Sequence, residues 1–133
     1  MDSQQITIAQ QCLNAAYDDT MSFPESVRSL MAAGFDSYLV DYRSNTRTYY
    51  LPNGESLVLN NPHDEGAVAA EFDPAGIVAT IKWAQLNPPD YRYIDFNQRV
   101  TGYGCAGYLV SFIGRRVLYF GRTAEIHVEH FPQ

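Results

Sequence analysis

An internal near-repetition at a constant offset of seventy residues narrows the architectures open to this chain. Gly34-Phe35-Asp36-Ser37-Tyr38-Leu39-Val40 lies over Gly104-Cys105-Ala106-Gly107-Tyr108-Leu109-Val110. Without a gap, Tyr49-Tyr50 then lies over Tyr119-Phe120, Glu55 over Glu125 and Val58 over Val128. Upstream, Ile8, Ala9 and Leu13 lie over Val78, Ala79 and Trp83. The period is too long for a solenoid unit and two copies are too few for a stacked array. The pattern therefore reads as two similar halves, residues 6–60 and 76–130, with a linker over 60–75. At 133 residues both halves fit in a single domain, 1–133.

Each half reads as two helices followed by two or three strands. Ile6, Ala9, Leu13 and Ala16 recur at helical spacing, and Ile77, Ile81 and Ala84 repeat it with Trp83 nearby. Ser22 is placed to cap a second helix, with Pro24 in its first turn, Glu25 three residues on and Gly34 to end it. Val27, Leu30 and Met31 are its expected buried stripe, and residues 93–103 are its counterpart, stopping at Gly104. Tyr38, Val40 and Tyr42 alternate with Leu39, Asp41 and Arg43, as Tyr108, Val110 and Phe112 do with Leu109, Ser111 and Ile113. Turns at Ser44-Asn45 and Gly114-Arg115 return the chain over 47–51 and 116–121. Asn53-Gly54 then leads into a third strand over 55–59, with 125–130 as its counterpart. The fold class is α+β with antiparallel sheet, its two ααβββ halves sharing one continuous sheet or forming two packed ones.

Charge excludes several functions. The net charge is -6 and the pI about 4.8, which repels phosphate backbones and anionic membranes, so neither nucleic acid nor membrane is expected as a partner. Residues 1–75 hold three Arg against eleven acids, or -8, whereas residues 76–133 hold six Lys and Arg against four acids, or +2. The acidic half could face a basic partner, or simply solvate the surface. With 46% hydrophobic residues the chain has ample material for a core. No apolar run reaches the ~18 residues of a membrane helix. The polar start, Met1-Asp2-Ser3-Gln4-Gln5, lacks the features of a secretory signal, so a cytoplasmic location is expected. Cys12 and Cys105 form no CxxC pair, and neither disulfide nor zinc site is indicated.

The run Gly104-Cys105-Ala106-Gly107-Tyr108, Gly114-Arg115-Arg116-Val117, Tyr119-Phe120-Gly121-Arg122-Thr123, then His127-Val128-Glu129 to Phe131-Pro132, resembles the signature of the YbcV/YdfO-like family of small bacterial and prophage proteins. So does Phe23-Pro24 with Val27, Leu30, Gly34 and Tyr38. The resemblance covers nearly the whole chain. It implies an α+β fold and brings no established activity, cofactor or catalytic residue; the common label of phage envelope protein has no support in these residues.

The densest polar cluster is the last quarter: Arg115, Arg116, Arg122, Glu125, His127, Glu129 and His130. On a strand over 125–130, Glu125, His127 and Glu129 share one face and Ile126 and Val128 the other. An imidazole between two carboxylates could act as general acid or base, or ligate a metal with further partners, of which none is assigned. Equally, an exposed edge strand uses such charges to block aggregation. The first-half counterparts of His127 and Glu129 are Leu57 and Leu59, and Arg122 stands where Pro52 does, so functional asymmetry would lie in the C-terminal half. Tyr119 and His130 with Arg115 and Arg122 are the expected ligand-binding residues, the Arg forks rimming an aromatic groove for a small anion or peptide. Cys105, at the negative end of a helix, is disfavoured as a nucleophile. Gly102, Gly104 and Gly107 precede their strand and so do not form a dinucleotide fingerprint.

No complete catalytic motif is present and no cofactor is expected, which favours a binding or interaction domain, prophage-associated if the resemblance holds. Its partner would be a protein or a small anionic ligand, and a homodimer is compatible with the pattern. The alternatives are a small enzyme or metal protein centred on His127 with Glu125, Glu129 and Arg122, or an acidic inhibitor or immunity-type protein.

Overall fold

The computed structural model describes residues 1–132 and builds them from ten elements. The order is α1 (Ser3–Tyr17), α2 (Phe23–Ala32), β1 (Ser37–Asp41), β2 (Thr46–Tyr50) and β3 (Ser56–Asn60), then α3 (Pro74–Leu86), α4 (Tyr93–Gly102), β4 (Cys105–Ser111), β5 (Arg116–Gly121) and β6 (Ile126–His130). The α-α-β-β-β order occurs twice; α2 and α4 begin seventy residues apart, as do β3 and β6.

Local chemistry sets these boundaries. The Ser22 hydroxyl accepts from the Glu25 amide while the Glu25 carboxylate accepts from the Ser22 amide, a reciprocal capping box with Pro24 in the first turn. Asp2 and Gln5 form a second such box, which starts α1 three residues before the apolar spacing does. Gly34 and Gly104 end α2 and α4 in the left-handed region, at φ 103° and 89°. Helix α4 has no side-chain cap of its own; its Tyr93 amide donates to the Asp19 carboxylate at 2.9 Å, which ties the end of α1 to the start of α4. Met31 departs from expectation: Val27 and Leu30 are buried, but Met31 is half exposed, on the outer edge of the helix. Strand β6 begins at Ile126, so Glu125 belongs to the preceding turn.

All six strands form one antiparallel sheet in the order β3-β2-β1-β4-β5-β6. The joint is β1 against β4, with Leu39 opposite Leu109 and Val40 opposite Tyr108, which decides for one continuous sheet over two packed ones. Helix residues Ala9, Cys12, Leu30, Ile77 and Val100 share one core with Tyr38, Val40, Tyr49, Val110, Val117 and Tyr119. The four helices thus cover one face of the sheet. The alternate strand positions, among them Val58, Leu109 and Ile126, face outwards uncovered.

Residues 61–73 are packed crossover rather than free linker. Asn61 and Val68 are buried, the Ala69 amide donates to the Thr101 carbonyl and the Asp73 amide to the Tyr103 carbonyl. Gly104 lets this segment in: a Cβ there would lie 2.0 Å from the Glu71 carbonyl oxygen. No helix among the described residues is long and apolar enough to cross a membrane.

Candidate functional site

Strand β2 alternates Thr46, Thr48 and Tyr50 outwards with Arg47 and Tyr49 inwards, because its register sets Tyr49 opposite Tyr38 and Arg47 opposite Val40. A guanidinium is thereby carried into the space between sheet and helices, with Arg47 only 4% exposed. Its charge stays on at neutral pH, because a guanidinium ordinarily titrates above about 12 and the hydroxyls and ring faces around it offset part of the burial that disfavours it. One Nη donates to the Tyr93 hydroxyl, which in turn shares a short hydrogen bond with the Tyr108 hydroxyl. The guanidinium carbon lies 5.1 Å from the centre of the Tyr38 ring and 5.5 Å from that of Tyr93, within cation–π range of both.

What this cation lacks is an anion. Among the described residues no Asp or Glu pairs with it, and its Nε is buried without a hydrogen-bond partner. The Tyr49 hydroxyl is buried beside the same guanidinium, which favours its ionised form by charge and by a side-chain contact but makes no well-formed hydrogen bond to it. Burial pushes the Tyr38, Tyr42 and Tyr108 hydroxyls upward in pKa despite the nearby positive charge, so these phenols are neutral at pH 7 and none serves as counter-ion. Desolvating a lone ion costs several kcal/mol, and neutral hydroxyls only partly offset it.

A second layer of polar groups leads from this centre to the surface. Asn97, on α4 and fully buried, accepts from the Tyr42 hydroxyl at 2.6 Å and donates at 3.4 Å to both the Tyr17 hydroxyl and the Glu65 carboxylate. The Tyr17 ring meets Tyr93 edge-on at 5.1 Å and is covered by His63 at 5.7 Å. Residues 61–66 of the crossover therefore lie over the cluster. They are held by Asn61, whose amide donates to the Asn45 carbonyl, and by the Glu65 contact to Asn97. Burial raises the Glu65 pKa, so its ionised form sits there at a cost. Chemically, the arrangement is a cationic centre lined by hydroxyls and ring faces under one strip of chain.

The residues expected from sequence are distributed differently. His127 and Glu129 are brought together, Nε2 to Oε2 at 3.0 Å, on the helix-covered side of the edge strand, where the His127 ring stacks on Tyr119 at 6.3 Å. Glu125 is apart from them, in the turn, accepting from the Thr123 hydroxyl. Among the described residues no three His, Cys, Asp or Glu side chains converge where they could hold a metal ion. Tyr119 is buried in the core, whereas His130 is exposed beside Arg116 on the uncovered face. Arg115 and Arg122 flank opposite ends of β5 and do not rim one groove; Arg115 lies 5.9 Å from the Phe131 ring, and Arg122 reaches the Val68 carbonyl of the crossover at 3.4 Å. The Cys105 thiol donates to the Gly107 carbonyl and is pushed by burial up to about 12, consistent with an inert side chain.

Arg47, Tyr93 and Asn97 were not among the residues singled out. The signal was present in the repeat, since the position seventy residues after Arg47 is Val117, an apolar residue at the matching place in β5. No family model matches the chain, and no curated protein matches it.

Proposed function

We propose that this domain binds a small monoanionic carboxylate at Arg47, between the sheet and the helices, with residues 61–66 as the strip that yields to admit it. The observation that supports this reading is the fully buried guanidinium without a counter-ion. A carboxylate matches the planar guanidinium in shape and cancels its single charge, whereas a phosphate dianion would leave a net negative charge buried among phenols. The rings of Tyr38, Tyr93 and Tyr108 favour a ligand with an apolar or aromatic body. Kinship with the YbcV/YdfO-like proteins is proposed alongside, on the motif residues quoted above, and adds no residue to this site.

The test is thermal unfolding of the wild type and of Arg47→Met with benzoate, acetate and inorganic phosphate as probes. Methionine fills a similar volume without charge, and replacing a buried ion by an apolar residue is often neutral or stabilising. The variant is therefore expected to melt no lower than about 3 °C below the wild type, a loss under ~1 kcal/mol. Benzoate is expected to raise the wild-type midpoint more than acetate or phosphate does, by linkage of binding to folding, and to leave Arg47→Met unmoved. Equal shifts in both proteins, or no shift with any probe, would count against the proposal.

A further inference from the structure

Among the described residues, three side-chain atoms are buried without a well-formed hydrogen bond: Arg47 Nε, the Tyr49 hydroxyl oxygen and Asn61 Oδ1. They belong to one neighbourhood. Arg47 and Tyr49 share the inner face of β2, two residues apart, and Asn61 comes two residues after Leu59, which stands opposite Arg47 across the β2–β3 ladder. Asn61 is also the fixed end of the 61–66 strip. Its amide donates to the Asn45 carbonyl, its Nδ2 donates to the Thr46 carbonyl at 3.3 Å, and its own carbonyl accepts from the Asn45 side chain. The contact to Thr46 fixes which way the side-chain amide faces, since turning it over would set Oδ1 against a carbonyl oxygen. Buried polar groups of folded proteins are nearly all paired, so three unpaired ones around a lone guanidinium describe the hydrogen bonds a ligand would complete.

Resting on the Arg47 reading, we infer that the bound acid is a hydroxy acid with an aromatic body: its carboxylate accepts from Arg47 Nε and from the Tyr49 hydroxyl, and its own hydroxyl donates to Asn61 Oδ1. The inventory of donors and acceptors decides this. Arg47 Nε can only donate and a carboxylate can only accept, so the two match. Tyr49 keeps its proton at neutral pH, because burial outweighs the neighbouring positive charge and pushes its pKa up, and its hydroxyl is free to donate to the second carboxylate oxygen. Asn61 Oδ1 can only accept, and a carboxylate has no hydrogen to offer it. A ligand that satisfies all three atoms therefore carries a donor besides its acid group. A hydroxyl supplies one without charge. An ammonium would leave a positive charge over once Arg47 and the carboxylate cancel, and the acids of the strip are turned elsewhere, Glu65 to Asn97 Nδ2 and Asp64 to the Gly66 amide.

The test is isothermal titration calorimetry on the wild type, Arg47→Met, Tyr49→Phe and Asn61→Leu. The probes are benzoate with its three hydroxy isomers, phenylacetate with mandelate, and the methyl ether of each hydroxy acid. At least one hydroxy acid is expected to bind the wild type about tenfold tighter than its parent, and its ether, which accepts but cannot donate, no tighter than the parent. Tyr49→Phe removes only an unpaired hydroxyl, so it is expected to fold as the wild type does and to weaken every acid about tenfold. Asn61→Leu is expected to bind the parent acids as the wild type does and to lose the preference. The comparison of hydroxy acid with ether needs only the wild type, so it decides whether or not Asn61→Leu folds. The inference is overturned if no hydroxy acid exceeds its parent, if ether and hydroxy acid bind alike, if the preference survives in folded Asn61→Leu, or if Tyr49→Phe binds every acid as tightly as the wild type. Benzoate bound by the wild type and lost in Arg47→Met would in those cases leave the Arg47 reading intact, whereas a failure of every acid to bind removes both.

Discussion

At Ala124 the backbone adopts φ 68°, a left-handed conformation, at the position seventy residues after Gly54, which adopts φ 94°. An L-residue there carries a strain of ~1–2 kcal/mol, while glycine adds about 0.4–1 kcal/mol of unfolded-state entropy. Ala124→Gly is therefore expected to stabilise the protein by roughly 0.5–1 kcal/mol in urea denaturation; a lower midpoint would mean that the turn is unstrained. The same comparison of matching positions explains how much of the site could be read in advance. His127 and Glu129 were visible as polar residues opposite Leu57 and Leu59, and they do pair. Arg47 opposite Val117 carried the same kind of signal. It was obscured because a single Arg in a strand looks like a solvated edge charge until the register fixes which face it occupies. Glu125 shows the converse: alternation places it with His127, but the strand begins one residue later and the Thr123 hydroxyl takes its carboxylate instead.

Among the elements, those governed by short-range chemistry were legible: the Ser22–Glu25 box, the Gly34 and Gly104 stops and the two hairpins all stand where sequence places them. The crossover was not legible, because its order comes from distant partners such as Asn45, Asn97 and Thr101 rather than from its own residues. Its docking on Gly104 can be measured. Gly104→Ala adds a Cβ 2.0 Å from the Glu71 carbonyl oxygen at φ 89°, and a loss of about 3 kcal/mol or more is expected; a loss below ~1 kcal/mol would show that the segment gives way freely. Glu65 supplies the pH dependence. Its pKa is raised in the folded protein by burial, so its contribution to stability is complete below the ordinary carboxyl pKa of 4.5 and is lost as pH rises through the folded value. The urea midpoint of the wild type, relative to Glu65→Gln, is accordingly expected to fall between pH 4 and pH 7. A difference that stays flat or rises over that range would place the carboxylate in a stabilising, paired environment.

For the whole molecule, the α+β class was readable from the order of the periodic segments, whereas the single sheet was not. The β1–β4 joint pairs strands from different halves, with Tyr38, Val40, Tyr108 and Val110 on the helix side and Ser37, Leu39, Asp41, Gly107, Leu109 and Ser111 on the other. Alternation marks the face that the helices cover, but it does not say which strands of the two halves lie side by side, so the joint was left open. The inner side holds the cation that carries the functional reading. Its most direct test is a native mass spectrum of the wild type and of Arg47→Met, each purified gently and then supplied with benzoate. Binding at Arg47 predicts a stoichiometric adduct of one small carboxylate, either co-purified or benzoate, on every wild-type chain and none on the variant. A bare wild-type chain, or the same adduct on both proteins, would contradict it.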